Sequence, residues 1–458
     1  MKKLLVSFFS VISVLGVSAQ DMTAYFVEGS TFRSQLNPAL APLKGYINIP
    51  LVGSIQAGVN GNIPIGALLF DNGGSLTPFT DSGISAEAVL GRLSANNDLN
   101  IGSRIGLIGF GKYTSKGHSF WSFDLALNID AEINAPRELF SFLKGGEAAD
   151  IRDLHVSLKS YADVSFNYSF RVAPCLYLGL RAKFVSGLLG ADFAIDRFDV
   201  SVGSERWYAD VAGSIEMNGI SEELQPGDCI YLDELTDYID LSSLARPAGY
   251  GGAIDIGATY DLTSWLQLSA SVNDLGFVKW GNGSTRRFTF EQSVSSDDIS
   301  IVDGKIEYPE DINFDGVKLN VVDGSGSTQR LTTRINVGAD FELLDHRLGF
   351  GVLYNARICP NKTYHTLMGS VNIHPLRWIG LTAAYSVIDN KAGAVSFALN
   401  ICPSWINLYV ATDVLLGSHV GYMIPDRGSK ANVTFGLAIP MGRWGARRFN
   451  THRSRGYL

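Results

Sequence analysis

The residues that could do chemistry in this chain fall on one face. Asp124, Asp130, Lys159, Asp163, Arg171, Arg181, Lys183, Asp255, Arg334, Asp340, Glu342, Arg347 and Arg357 share the polar side of segments whose other side is apolar. Groups so placed can pair with one another, bind a charged solute or line an aqueous path. Their signs are mixed. That points to a network of ion pairs filling a lumen rather than to a filter for one sign of charge. A charge facing hydrocarbon costs about 2–4 kcal/mol at the bilayer midplane. Inward placement therefore follows from any membrane barrel and is not by itself evidence of transport.

Other constellations carry weaker chemistry. Asp311-Ile312-Asn313-Phe314-Asp315-Gly316 matches the first half of a calcium loop, with Asp311, Asn313 and Asp315 as the candidate ligands. Position 12 of such a loop requires a bidentate Glu, and here it is Val322. A solvated acidic turn is the favoured reading. His155 and Ser157 share a strand face and resemble the pair of the barrel lipases. A Ser–His nucleophile needs an oriented base with a third partner, which the sequence does not place. There is no P-loop, H-E-x-x-H or paired C-x-x-C motif. The chain is expected not to be an enzyme and to need no cofactor. The four cysteines, Cys175, Cys229, Cys359 and Cys402, match no metal spacing. They read as isolated thiols, with a Cys229–Cys359 bridge as the alternative an oxidising compartment allows.

The elements that carry these groups are strands. From Arg330 to Arg443 seven consecutive segments alternate with period two. Ile379, Leu381, Ala383, Tyr385 and Val387 oppose Gly380, Thr382, Ala384 and Ser386; Val433, Phe435, Leu437, Ile439 and Met441 oppose Asn432, Thr434, Gly436 and Ala438. Soluble sandwiches alternate too. Two features favour the membrane. The strands have roughly the 9–11 residues that cross a bilayer at a tilt. Trp265, Trp378 and Trp405 stand at strand ends, where amphipathic rings favour the membrane–water interface.

Compartment follows from the N-terminus. Residues 1–19 form a signal peptide: Lys2 and Lys3, an apolar run from Leu4 to Val17, then Val17-Ser18-Ala19 as the cleavage site. No Cys follows that site, and no other run approaches the ~18 apolar residues of a spanning helix. The net charge of −8 becomes two units more negative when Lys2 and Lys3 are removed. Nucleic-acid binding, which needs a basic footprint, is not expected. The 49 glycines and the 18% charged content suit a barrel with small lumen residues and many turns.

Read in order, residues 20–44 form a compact periplasmic plug or cap carrying Asn37-Pro38-Ala39, where Pro38 and Pro42 oppose regular structure. Residues 45–442 form an all-β, transmembrane antiparallel barrel of 14 strands, the first running unbroken from Gly45 to Asn60. Connections alternate short and long, and insertions at about 60–98, 133–153, 190–248 and 279–329 read as extracellular loops. The hairpin Phe193–Met217 would raise the count to 16 if it joined the wall. An even count places both termini in the periplasm of a Gram-negative cell, with the wall in outer-membrane lipid. The basic tail, 443–458, holds five arginines and could meet an acidic partner or stay solvated.

Two stretches resemble a known family. Asn37-Pro38-Ala39 in a short N-terminal plug resembles the hatch of the FadL-like, long-chain fatty-acid transporter barrels. Ser271-Val272-Asn273-Asp274-Leu275-Gly276-Phe277-Val278-Lys279-Trp280 looks like the strand-end signature of an uncharacterised Bacteroidetes outer-membrane family of that type. The resemblance implies a 14-strand plugged barrel. It also implies a mobile hatch and a small hydrophobic ligand that leaves sideways through a gap in the wall. Only Asn37, Pro38 and Ala39 carry over. The second reading is a non-transporting scaffold, a partner in secretion or surface attachment. It would engage a protein through the extracellular loops or the basic tail.

Overall fold

The structure is a computed structural model. It describes residues 22–442 except 73–74, 82, 115–117, 146–150, 203–206, 221–223, 233, 239–245, 296–299, 303–304, 308–316, 323, 325, 345–346, 361, 377, 390, 416–418, 421–423 and 426–428. The signal peptide, the basic tail and the calcium-like motif at Asp311, Asn313 and Asp315 lie outside the described residues.

Fourteen antiparallel strands form the wall. In chain order they are β1 (Gly45–Asn48 and Ile55–Gly61), β2 (Asn96–Tyr113), β3 (Ser119–Pro136), β4 (His155–Ala173) and β5 (Leu176–Val202). Next come β6 (Gly249–Asp261), β7 (Leu266–Trp280), β8 (Thr333–Leu343), β9 (Leu348–Ile358) and β10 (Thr363–Leu376). The last four are β11 (Ile379–Ile388), β12 (Lys391–Ile401), β13 (Asn407–Leu415) and β14 (Ser429–Met441). Each pairs with its chain neighbours, and β14 returns to β1, so the sheet closes without a free edge. Closure is what a bilayer demands, because no water is available there to satisfy an open edge.

The alternation decides the faces. On β11 the residues Gly380, Thr382, Ala384 and Ser386 are buried in the lumen, while Leu381, Ala383 and Tyr385 are exposed on the outer face. The outer wall carries large apolar side chains throughout, among them Phe166, Phe184, Ile256, Leu367, Phe397 and Val433. Trp265, Trp378 and Trp405 are exposed at the short-turn end. The chain is thus a 14-strand transmembrane β-barrel.

One detail differs from the sequence reading, and two others decide between the alternatives it left open. First, β1 is broken. Residues 49–54 face only Gly436 and Leu437 of β14, so four residues are extruded from the wall. Leu51 stands there at φ 65°, a left-handed conformation costly for a residue with a Cβ. Second, the Phe193–Met217 hairpin does not enter the wall. Its first arm is the far end of β5, beyond the wall, and the outer sheet proceeds from there through Trp207–Asn218, Thr285–Ser295, Lys318–Val322 and Cys229–Tyr231. This extension has its own core, with Phe288, Leu319, Val321, Met217 and Ile230 buried. Third, Cys229 and Cys359 do not pair. Cys359 is buried beyond β9, whereas Cys229 is exposed on the outer sheet with its Sγ 3.1 Å from Asn320 Oδ1.

Candidate functional site

The lumen is filled in two storeys. The lower storey is the segment Met22–Lys44, whose side chains are almost all buried inside the barrel. Ala24, Tyr25, Phe26, Val27, Phe32, Leu36 and Leu40 pack on wall residues Leu353, Met368, Ala384, Ala398, Tyr409 and Ala411. Phe32 lies 5.3 Å from Tyr409, ring to ring. Small residues on the wall make this possible. A Cβ at Gly257 would come within 2.0 Å of Asn37 Oδ1, and one at Gly179 within 2.1 Å of the Pro38 carbonyl carbon.

Polar wall side chains then bind the plug's backbone. Ser271 Oγ, Asn273 Nδ2 and Asn336 Nδ2 all donate to the Leu36 carbonyl, at 2.8, 2.5 and 2.8 Å. Asn407 Nδ2 donates to Gly29 O at 2.8 Å and Ser169 Oγ to Ala39 O at 3.2 Å. Asn37 works in the opposite sense. Its Nδ2 donates to Tyr25 Oη at 3.1 Å and to the wall carbonyls of Ala270 and Ala258 at 3.3 and 3.4 Å. Its Oδ1 accepts from the Ala39 N–H at 2.9 Å, an Asx turn that sets the direction of Pro38-Ala39. Buried backbone polar groups need such partners, and an irregular plug cannot supply them from its own secondary structure.

The upper storey is a belt of charge. Arg104 pairs with Asp163 at 2.6 Å, and Asn128 Nδ2 donates to the same carboxylate. Asp130 accepts from Arg357 at 3.1 Å and from Thr332 at 2.6 Å. Lys183 lies between Asp255 (2.9 Å) and Asp274 (2.5 Å), and Arg334 reaches Asp274 at 3.1 Å. Lys159 donates to the Arg330 carbonyl at 3.2 Å. Arg181 is buried between Asp255 and the plug's Ser34. Asp124 sits lower, with Ser122 and Tyr46 as its partners at 3.4 and 3.5 Å. Belt and plug meet where Gln56 Nε2 donates to Gln35 Oε1 at 2.8 Å. Between them is a polar cavity of about 50 Å³. Beyond the belt an apolar cluster of Val185, Ala253, Val278, Trp280 and Leu331 packs on the β5–β8 side of the barrel.

The predicted lumen residues therefore divide. Asp130, Lys159, Asp163, Arg181, Lys183, Asp255, Arg334 and Arg357 form the belt. Asp340 is buried and Glu342 half-buried toward the short-turn end. Two assignments are corrected. Arg347 is exposed in the β8–β9 turn, not in the lumen, because β8 ends at Leu343 and β9 begins only at Leu348. Arg171 folds back on the β4–β5 turn, donating to the carbonyls of Ala173 and Pro174. His155 faces Asp192 at 3.6 Å rather than a serine.

Sequence reasoning missed Arg104 and Asp274, each beside a bulge. The β2–β3 register skips Leu107, and the β6–β7 register skips Asn273 and Asp274. Asp274 takes φ 58°, which turns its carboxylate inward beside Asn273. Two polar residues in succession within an alternating strand were the available signal of that bulge.

Comparison with known proteins gives the family. No curated protein matches the chain. Among solved structures, the Pseudomonas putida toluene transporter TodX aligns at 10% identity with a TM-score of 0.45, covering 89% of this chain and 93% of that one. The CymD monoaromatic hydrocarbon channel aligns at 9% identity and TM-score 0.41, covering 91% and 94%. The translocator domain of the autotransporter NalP from Neisseria meningitidis aligns at 8% identity and TM-score 0.32, covering 87% and 88%. Residues 38–413, from Pro38 of the plug through the belt and into β13, match the model of a family of unknown function, DUF5723, and the chain belongs to that family.

Proposed function

We propose that this protein passes small hydrophobic compounds across the outer membrane, with the plug as its gate and the break in β1 as a sideways exit into lipid. The observation that carries this reading is the extrusion of four residues from an otherwise closed wall. The break lies level with the plug: Gly436, beside Gly53, is also where Phe32 of the plug packs. It presents apolar side chains outward, with Leu51 60% and Val52 39% exposed. Neighbouring β2 carries its own bulge at the same level, so the β1–β2 ladder is thinned there too. In this reading both termini and the short turns face the periplasm. The name of TodX, a toluene transporter, agrees with the substrate class without establishing it.

Deleting residues 50–53 tests the reading. Ile49 and Ser54 would then face Leu437 and Gly436 directly, giving a continuous first strand. Cells carrying the deletion should lose uptake of radiolabelled toluene and of an acyl tracer while the barrel still assembles. Uptake equal to wild type, or no uptake by wild type of either tracer, overturns it.

The outer sheet favours a second reading, a scaffold for a protein partner. Strands beyond the wall with a separate buried core are more than a loop needs. Crosslinking in cells, with and without residues 279–329, distinguishes the two.

A further inference from the structure

At the centre of the belt three cations share two carboxylates. Asp274 gives one oxygen to Lys183 and the other to Arg334. Asp255 gives Oδ2 to Lys183 at 2.9 Å, and its Oδ1 accepts the Asp274 backbone N–H at 2.7 Å. Arg181 is left over. Among the described residues its nearest carboxylate oxygen, Asp255 Oδ2, is 3.9 Å away, and its one hydrogen bond, to Ser34 Oγ, is long at 3.5 Å. Its Nε has no partner, although the side chain is only 1% exposed. Of the other carboxylates nearby, Asp163 is committed to Arg104 and Asn128 and Asp130 to Arg357 and Thr332, while Asp124, held by Ser122 and Tyr46 only at 3.4 and 3.5 Å, shares the field of Arg181 without a hydrogen bond to it.

A buried guanidinium with so little compensation is unfavourable unless a further anion meets it. Space for one is present. Four cations, Arg181, Arg104, Lys183 and Arg334, line the cavity between belt and plug against two carboxylates, Asp130 and Asp274, so its lining carries an excess of positive charge. A water needs about 10–15 Å³ of such space, so a cavity of about 50 Å³ takes a small ion with a water or two and excludes an acyl chain. We infer that this cavity is a binding site for a small monovalent anion, a halide or a short carboxylate, held against the Arg181 guanidinium. Because Arg181 also touches Ser34, and Gln35 lines the same space, the ion would tie the plug to the wall.

Bromide replaces chloride and is located by its anomalous scattering. Crystals of the full-length protein grown in sodium bromide should show a peak in contact with Arg181. The peak should disappear in Arg181→Gln. In Asp255→Asn, where one competing carboxylate is gone, it should reach full occupancy at a lower bromide concentration. Chloride NMR line width, competed by acetate, should rank the three proteins in the same order in detergent solution. A cavity without an anomalous peak at saturating bromide overturns the inference. So does a peak of equal occupancy in Arg181→Gln. If Arg181→Gln does not assemble, Asp255→Asn decides alone: tighter binding supports the site, and unchanged or weaker binding overturns it.

Discussion

The two storeys of the lumen are held by different physics. The plug seat uses neutral donors, mainly Asn and Ser side chains reaching backbone carbonyls such as those of Leu36, Ala39 and Gly29. Each bond of this kind contributes about 0.5–1.5 kcal/mol net, so the seat is a sum of small terms. Such a contact can be released piecemeal, which is what the proposed gate requires. The belt instead pairs full charges away from water. Removing one partner there leaves another uncompensated, which makes the belt close to all-or-none. The comparison teaches that two parts of one lumen can be held by contacts that differ in kind.

The largest expected effect comes from breaking the belt. Asp274→Ala leaves Lys183 with Asp255 alone and takes from Arg334 its carboxylate partner at 3.1 Å. It should cost about 3–5 kcal/mol, read as a lowered urea midpoint of the whole barrel in lipid. A loss confined to the plug would contradict the division into storeys.

A smaller and more local effect is expected from Gly257→Val, which places a side chain where Asn37 Oδ1 now lies. Overpacking of this kind costs about 1–3 kcal/mol, and expelling the plug relieves it. Limited proteolysis should cut within residues 22–44 while the barrel midpoint stays near wild type. An uncut plug, or a barrel that falls with it, would merge the two storeys into one.

The smallest effect is chemical. Cys402 is buried just past β12, near Lys44 at the end of the plug, and burial pushes its thiol up to about 11. Burial pushes Cys359 up to about 12. Thiolate is therefore scarce on both near pH 8, and maleimide should label Cys229 alone among these three. Reactivity of Cys402 should rise only as pH approaches 11. In Gly257→Val it should rise at lower pH, as the plug leaves. Equal labelling of Cys402 in both proteins would separate it from the seat.

Much of the wall was legible in the chain itself. A period-two pattern such as Ile379 to Ser386 fixes which face is buried, because successive side chains must point to opposite sides of a strand. The regular spacing of turns gave the strand count, and closure left no alternative to pairing β14 with β1. The belt was legible as a set of inward charges, since parity along β5, β6 and β8 places Arg181, Lys183, Asp255 and Arg334 on the lumen side. Parity failed wherever the backbone left the regular pleat. It lost Asp274 at a bulge, counted Arg347 into a strand that had not yet begun, and ran β1 through its own break.

The sequence by itself determined the alternation, and with it a closed barrel with charges inside. Those properties follow from local geometry and from the cost of charge in hydrocarbon. Tertiary structure decided which charges meet, which carbonyls Asn37, Asn273 and Asn336 would face, and that Arg181 would have only distant partners. Those outcomes depend on strands far apart in the chain meeting at one height. That height is set by register and bulges across the whole sheet, which no local pattern encodes.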